Sequence, residues 1–178
     1  MVSPQALSEA DRRTVAGWAA DCAERVLPLF ETEAPDDERP RDAIARARAF
    51  SRGELRAADE IRRRFVAGRA ANAVSSPAAV AAARAAAQAS GVAHMGAHAL
   101  GAAAYAAKAA GLAHPDRPDA LDEEVRRQLR GMGADTRAAL RRLPLLGQDA
   151  AGPLGSGLLA SGVLATVVRM IQADLATS

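Results

Sequence analysis

One cysteine, one lysine, one tryptophan, one tyrosine and three phenylalanines are all that these 178 residues hold of those types. Each scarcity removes a class of protein. Cys22 alone closes no internal disulfide and forms no CxxC metal knuckle. Aromatic residues make up 3% of the chain, and Trp18, Phe30, Phe50 and Phe65 fall at expected core positions, which leaves Tyr105 as the sole candidate for stacking on a base. That argues against a nucleic-acid surface, which needs stacking aromatics beside its cations. No apolar run reaches about 18 residues, so no membrane span is expected. The opening MVSPQALSEADRR lacks the apolar stretch of a signal peptide, and the expected location is cytoplasmic. No segment alternates apolar and polar residues as a half-buried strand would.

What is present is helix. Alanine is about a quarter of the chain, and it loses no side-chain entropy on entering a helix. Ser8 with Asp11 three places on resembles a capping box, and Val15, Trp18, Ala19, Cys22, Val26, Leu29 and Phe30 then recur at helical spacing. Pro28 should kink or end that helix. A second helix is expected from about Pro40 to Arg52, with Ile44, Ala47 and Phe50 inward and Gly53 as its stop. A third is expected over about 54–73, with Leu55, Ala58, Ile61 and Phe65 inward. Ser76-Pro77 opens a fourth, the fifth covers about 92–112, and the sixth runs from near Asp119 to Leu143 with a break at Gly131-Met132-Gly133. The fold class is all-α: a single-domain helical bundle of about six to seven helices in the whole chain, with residues 1–146 as the bundle domain. The segment 147–178 is an apolar C-terminal helix, packed on the bundle or on another subunit. Its Leu158, Leu159, Val163, Leu164, Val167, Val168, Met170 and Ile171 leave little polar surface.

The net charge is +2, but its distribution is uneven. Residues 1–40 carry net −5 and residues 41–144 net +8. The connection ETEAPDDERP (31–40) is acidic, and it either pairs with the basic middle of the same chain or docks a basic partner protein. The run Arg62-Arg63-Arg64 reads as a solvated face.

Two of three histidines, the tyrosine and the lysine fall together in HMGAHALGAAAYAAK (94–108). On an unbroken helix turning about 100° per residue, His94, His98, Gly101, Tyr105 and Lys108 share one arc of about 80°. His98, Tyr105 and Lys108 are then catalytic candidates: a histidine base, a phenol donor and a cation that favours the phenolate. A wettable stripe on a structural helix has the same pattern, so both readings stand. His94-x-x-x-His98 is also a weak divalent-metal candidate. Met95 occupies the place of the HExxH glutamate, and a third ligand would have to come from His114, Glu60 or Glu124. No Ser/His/Asp order or nucleophile elbow is present, so the weight falls on binding rather than catalysis, with no cofactor expected.

Whole segments carry a family likeness. WAADCAERVLPLFE (18–31), DDERPRDAI (36–44), FSRGE (50–54) and AHMGAHALGAAAYAAKA (93–109) resemble the putative immunity protein family of bacterial toxin–immunity systems, the likeness running from about residue 10 to 143. The resemblance implies an all-helical cytoplasmic protein that binds and neutralises a cognate toxin, and it brings no catalytic residues. Trp18, Asp36, Asp37, Arg39, Pro40, Arg41, His94, His98 and Tyr105 fit its recurrent segments. Of these, Asp36, Asp37, Arg39, Arg41, His94, His98 and Tyr105 are the binding candidates. The apolar tail after Gly147 departs from the pattern. The alternative is a small helical enzyme or small-molecule-binding protein, metal-dependent in one form, that works in a biosynthetic pathway through the His94/His98/Tyr105 stripe. A homo-oligomer built through residues 154–175 is a third reading.

Overall fold

The computed structural model describes residues 3–63 and 65–177, and among them it contains eight α-helices and no strand. The bundle has one helix more than the upper expectation, because Gly131–Gly133 separates two helices outright. Arg64 lies outside the described residues.

Helix α1 (Glu9–Glu31) starts as its cap predicts: the Asp11 N–H donates to Ser8 Oγ at 3.1 Å. Its apolar stripe is buried except for Leu29, which is half-buried. Pro28 does not end it at once; the helix runs three residues further, to Glu31, with the Pro28 carbonyl accepting from the Thr32 N–H and hydroxyl. Helix α2 (Arg39–Ser51) buries Ile44, Ala47 and Phe50 and stops at Gly53, whose φ of +81° suits glycine.

The expected third helix is corrected. Helix α3 is short (Ala57–Arg63), and the chain resumes as a 3-10 turn over Ala67–Ala73. Its buried residue is Glu60, which accepts from Arg46 Nε of α2 at 3.1 Å. Phe65, expected inward, is 61% exposed, and Ala58 also faces out. The physical reason is the ion pair. A carboxylate 4% exposed must keep its guanidinium, and that requirement fixes which side of α3 turns toward α2.

Helix α4 (Pro77–Gly91) is capped by Ser76, whose Oγ accepts from the Ala79 N–H. Helix α5 (His98–Ala113) is the axis of the fold, with every residue from Ala99 to Ala107 buried. It packs on α1 and α4, on α6 (Ala120–Arg130) and on α8 (Gly162–Thr177). Helix α7 (Ala134–Leu140) packs on α1. The apolar tail is less uniform than its sequence: α8 presents Leu164, Val167, Val168, Ile171 and Leu175 inward, while Leu158 and Val163 stay at the surface.

The fifth helix begins six residues later than expected. Residues 92–97 form turns, because the N–H groups of Gly96 and Ala97 donate to the Ala6 and Gln5 carbonyls at 3.0 Å rather than to the preceding turn. The N-terminal segment is thus a strap. Leu7, at φ 60°, lies so close to Gly96 that a Cβ there would come within 2.5 Å of its side chain. Gln5 is fully buried: its Nε2 donates to the Ala151 carbonyl and its Oε1 accepts from the Leu154 N–H at 2.8 Å. One side chain therefore joins the strap to the loop before α8. Gln5→Ala should lower the unfolding free energy by about 2 kcal/mol, since it strands buried backbone groups. Urea denaturation reads the loss, and hydrogen exchange at Gly96 and Ala97 should quicken by more than the global change.

Candidate functional site

The turn at 92–97 breaks the single stripe on which His94, His98, Tyr105 and Lys108 were to align. His94 sits exposed in the turn, and His98 opens α5. The two histidines still meet, but across a corner, as two walls of a cleft of about 680 Å³. Phe65, Gly68 and Arg69 supply a third side, and Ala87, Gln88 and Gly91 of α4 a fourth.

His98 is held from α4. Its Nδ1 lies 2.8 Å from Gln88 Oε1, so the ring donates there, and Nε2 is an acceptor with no partner among the described residues. Two glycines make room for the pair. A Cβ at Gly91 would lie 2.9 Å from the His98 ring, and one at Gly101 would lie 2.2 Å from Gln88 Oε1. Burial pushes the His98 pKa down to about 4, and the nearby charge of His94 adds to the effect. The imidazole is neutral at physiological pH.

The expected catalytic grouping does not assemble. The partner of His98 is Gln88 rather than Tyr105. Tyr105 is 3% exposed and lies beyond the cleft lining. Burial raises its pKa, and the cation that partly offsets this is Arg84 of α4, not Lys108. The three proposed third metal ligands are also elsewhere. Glu60 is engaged by Arg46, Glu124 accepts from Arg25 Nη2 at 2.8 Å, and His114 follows the far end of α5 in a separate cleft with Arg25 and Arg127. Among the described residues no three His, Cys, Asp or Glu side chains group as a metal site. Cys22 is fully buried, and its thiol pKa is driven up by that burial, so it offers no thiolate.

The acidic connection engages three of its five carboxylates within the chain. Glu31 pairs with Arg41, and Asp37 accepts from Arg39 Nε at 2.8 Å and from the Arg39 N–H. Glu33 accepts from the Ser75 and Ser76 N–H groups at the head of α4. Asp36 stays exposed. None of Asp36, Asp37, Arg39 or Arg41 lines the histidine cleft. The residues missed from the sequence are Arg69, Gln88 and Gly91, while Phe65 and Gly101 were noted in other roles, as a core residue and as part of the stripe. Arg84 and Gln88, four apart in a helix otherwise almost all alanine, were the signal available.

A family model described as Imm-5 like putative immunity protein matches residues 5–135. The chain belongs to that family. The match begins at the strap residue Gln5 and takes in α1 to α6, so the cleft and both glycines lie inside it, whereas α8 lies outside. No curated protein and no solved structure matches the chain. In this immunity-family member no helix among the described residues is long and apolar enough to cross a membrane.

The unfolded His98 imidazole takes up its proton near pH 6.5, while the folded one refuses it down to about 4. Stability is therefore level above 6.5 and falls as pH drops through that window, by about 3 kcal/mol in all. Ring NMR should show His98 titrating near 4, and denaturation at stepped pH should show a steeper acid loss than in His98→Asn. Gly101→Ala should move the His98 ring resonances by displacing the Gln88 amide; unchanged resonances would contradict the contact.

Proposed function

We propose that this chain is an immunity protein that neutralises a cognate toxin by forming a complex with it in the cytoplasm. The observation that carries the reading is the family match over residues 5–135. Two features of the fold are consistent with it. The buried α5 makes a packed core on which a partner surface can be held, and the cleft bearing His94 and His98 carries an exposed aromatic, the residue type that anchors interfaces. Occlusion needs no catalytic group on the immunity protein, only a surface that covers the toxin.

The cleft also favours a second reading, that of a small-molecule-binding protein. Its volume is in the usual range for such sites, and a neutral imidazole acceptor stands in its wall. Stoichiometric divalent metal or a co-purifying small molecule in protein made without a His-tag would support it. An oligomer through 154–175 has less to stand on, because the inward face of α8 is already covered by α5 and α6.

The test is co-expression with the toxin encoded by the neighbouring gene. The expected result is co-elution as one species on size-exclusion chromatography and rescue of growth in cells making the toxin. If the two proteins elute apart and growth is not rescued, the immunity reading fails.

A further inference from the structure

Between Glu60 and Asp116 the chain has no Asp or Glu, yet it carries Arg62, Arg63, Arg64, Arg69, Arg84 and Lys108. That acid-free stretch includes the 3-10 turn, α4 and α5, the elements that wall the histidine cleft. Arg62 and Arg63 reach back to Asp59 and Asp42. Arg69, Arg84 and Lys108 form no ion pair among the described residues and lie within the acid-free stretch, whereas Arg126, Arg127 and Arg130, also outside the ion pairs, share α6 with Asp122, Glu123 and Glu124. Arg69 lines the cleft. Arg84 is exposed one turn along α4 from Gln88, and Lys108 is half-buried one turn past Tyr105 on the facing helix.

Neighbours on both helices leave this charge uncompensated. Of the three cations Arg69 stands in the cleft, with Arg84 and Lys108 farther along α4 and α5. Beside Arg69 the cleft offers the Gln88 amide, the His98 acceptor and the apolar surface of Ala87 and of Phe65, which is 61% exposed. The combination matches an anionic segment with an apolar residue beside its charge. It does not match a nucleic acid, for which one exposed aromatic is too small a stacking platform. The 31–38 connection is the weaker candidate for the docking surface, since Glu31, Glu33 and Asp37 are engaged within the chain and leave only Asp36 and Glu38 of its carboxylates exposed with no pair among the described residues.

We infer that the α4–α5 cleft is the partner-binding face, and that it takes an Asp- or Glu-bearing segment of the bound protein, with Arg69, Arg84 and Lys108 as the cations that meet it. This rests on the immunity reading above and commits it to an acidic partner surface. Charges placed so would act first on the encounter, speeding association at low salt and losing that effect as salt rises.

The experiment measures binding of the neighbouring-gene toxin by calorimetry and by stopped flow, at low and high salt. Arg69→Glu should weaken binding about ten-fold, and the triple variant with Arg84→Glu and Lys108→Glu about a hundred-fold, chiefly through slower association. Arg126→Glu makes the same charge change on α6, away from the cleft, and should stay within about two-fold. Melting curves check that every variant folds, which the exposure of Arg69 and Arg84 favours. Replacing an Asp or Glu of the toxin with Arg should restore affinity for Arg69→Glu and lower it for the wild type. A wild-type complex unaffected by the triple variant overturns the acidic-partner inference and leaves the immunity reading intact. Loss of binding in Asp36→Lys with Arg69→Glu binding normally returns the interface to the 31–38 connection and overturns it too. Absence of any wild-type complex removes both readings. Tight single-stranded RNA binding that Arg69→Glu abolishes would reassign the face to nucleic acid.

Discussion

Helices α4 and α5 meet closely because two positions at their contact carry no side chain. At Gly101 a Cβ would fall 2.2 Å from the Gln88 amide, and at Gly91 one would fall 2.9 Å from the His98 ring. Most of the buried residues of the two helices are alanine, and a buried alanine removes little apolar area from water. A bundle of such helices gains its cohesion from nearness, through many dispersion contacts at short range. Bulk at either glycine would prise the seam open and push the Gln88 amide off the histidine. The same spacing that lets the core close is therefore what holds the imidazole in place.

The second constraint comes from the other end of the sequence. Once the Gln5 and Ala6 carbonyls accept from the Ala97 and Gly96 N–H groups, those donors are lost to any helix running through 92–97. The chain must turn, and His94 leaves the axis on which His98 starts. Two imidazoles that an unbroken helix would stack on one face instead look into a cleft from adjoining walls. The strap also reaches the loop before α8 through Gln5, so the corner of the site and the seating of the last helix share one buried side chain.

Where signals were local, the sequence was readable. Ser8 and Ser76 cap the helices they precede, Gly53 ends α2, and the glycines at 131 and 133 part α6 from α7. Each of these depends on residues within one turn. Apart from Pro28, which α1 passes by three residues, the failures depend on partners far away. Residue periodicity alone made one helix of 54–73 and turned Phe65 inward, but Arg46, fourteen positions before Glu60, decides which face of α3 is buried. The start of α5 is set by residues some ninety positions earlier. His94 and His98 were found as a pair for a reason that proved wrong in geometry. Gln88 and Arg69, which complete their cleft, have no spacing relation to them that a sequence displays.

Charge gives the surface its direction. This chain is poor in lysine and rich in arginine, and most of its fold spends arginine on pairing with its own carboxylates: Arg25 with Glu124, Arg46 with Glu60, Arg137 with Asp174. The exposed pairs, such as Arg52 with Glu54 and Arg56 with Asp59, add little stability, but they neutralise the surface they occupy. A region without acids cannot be neutralised from within. Because α4 and α5 must be small-sided to pack, they are made largely of alanine and glycine, and the few polar residues they carry include two cations, an amide and one histidine but no carboxylate. The seam that packing requires is thus also where positive charge stays unmatched, and an incoming partner meets it there before it meets anything else.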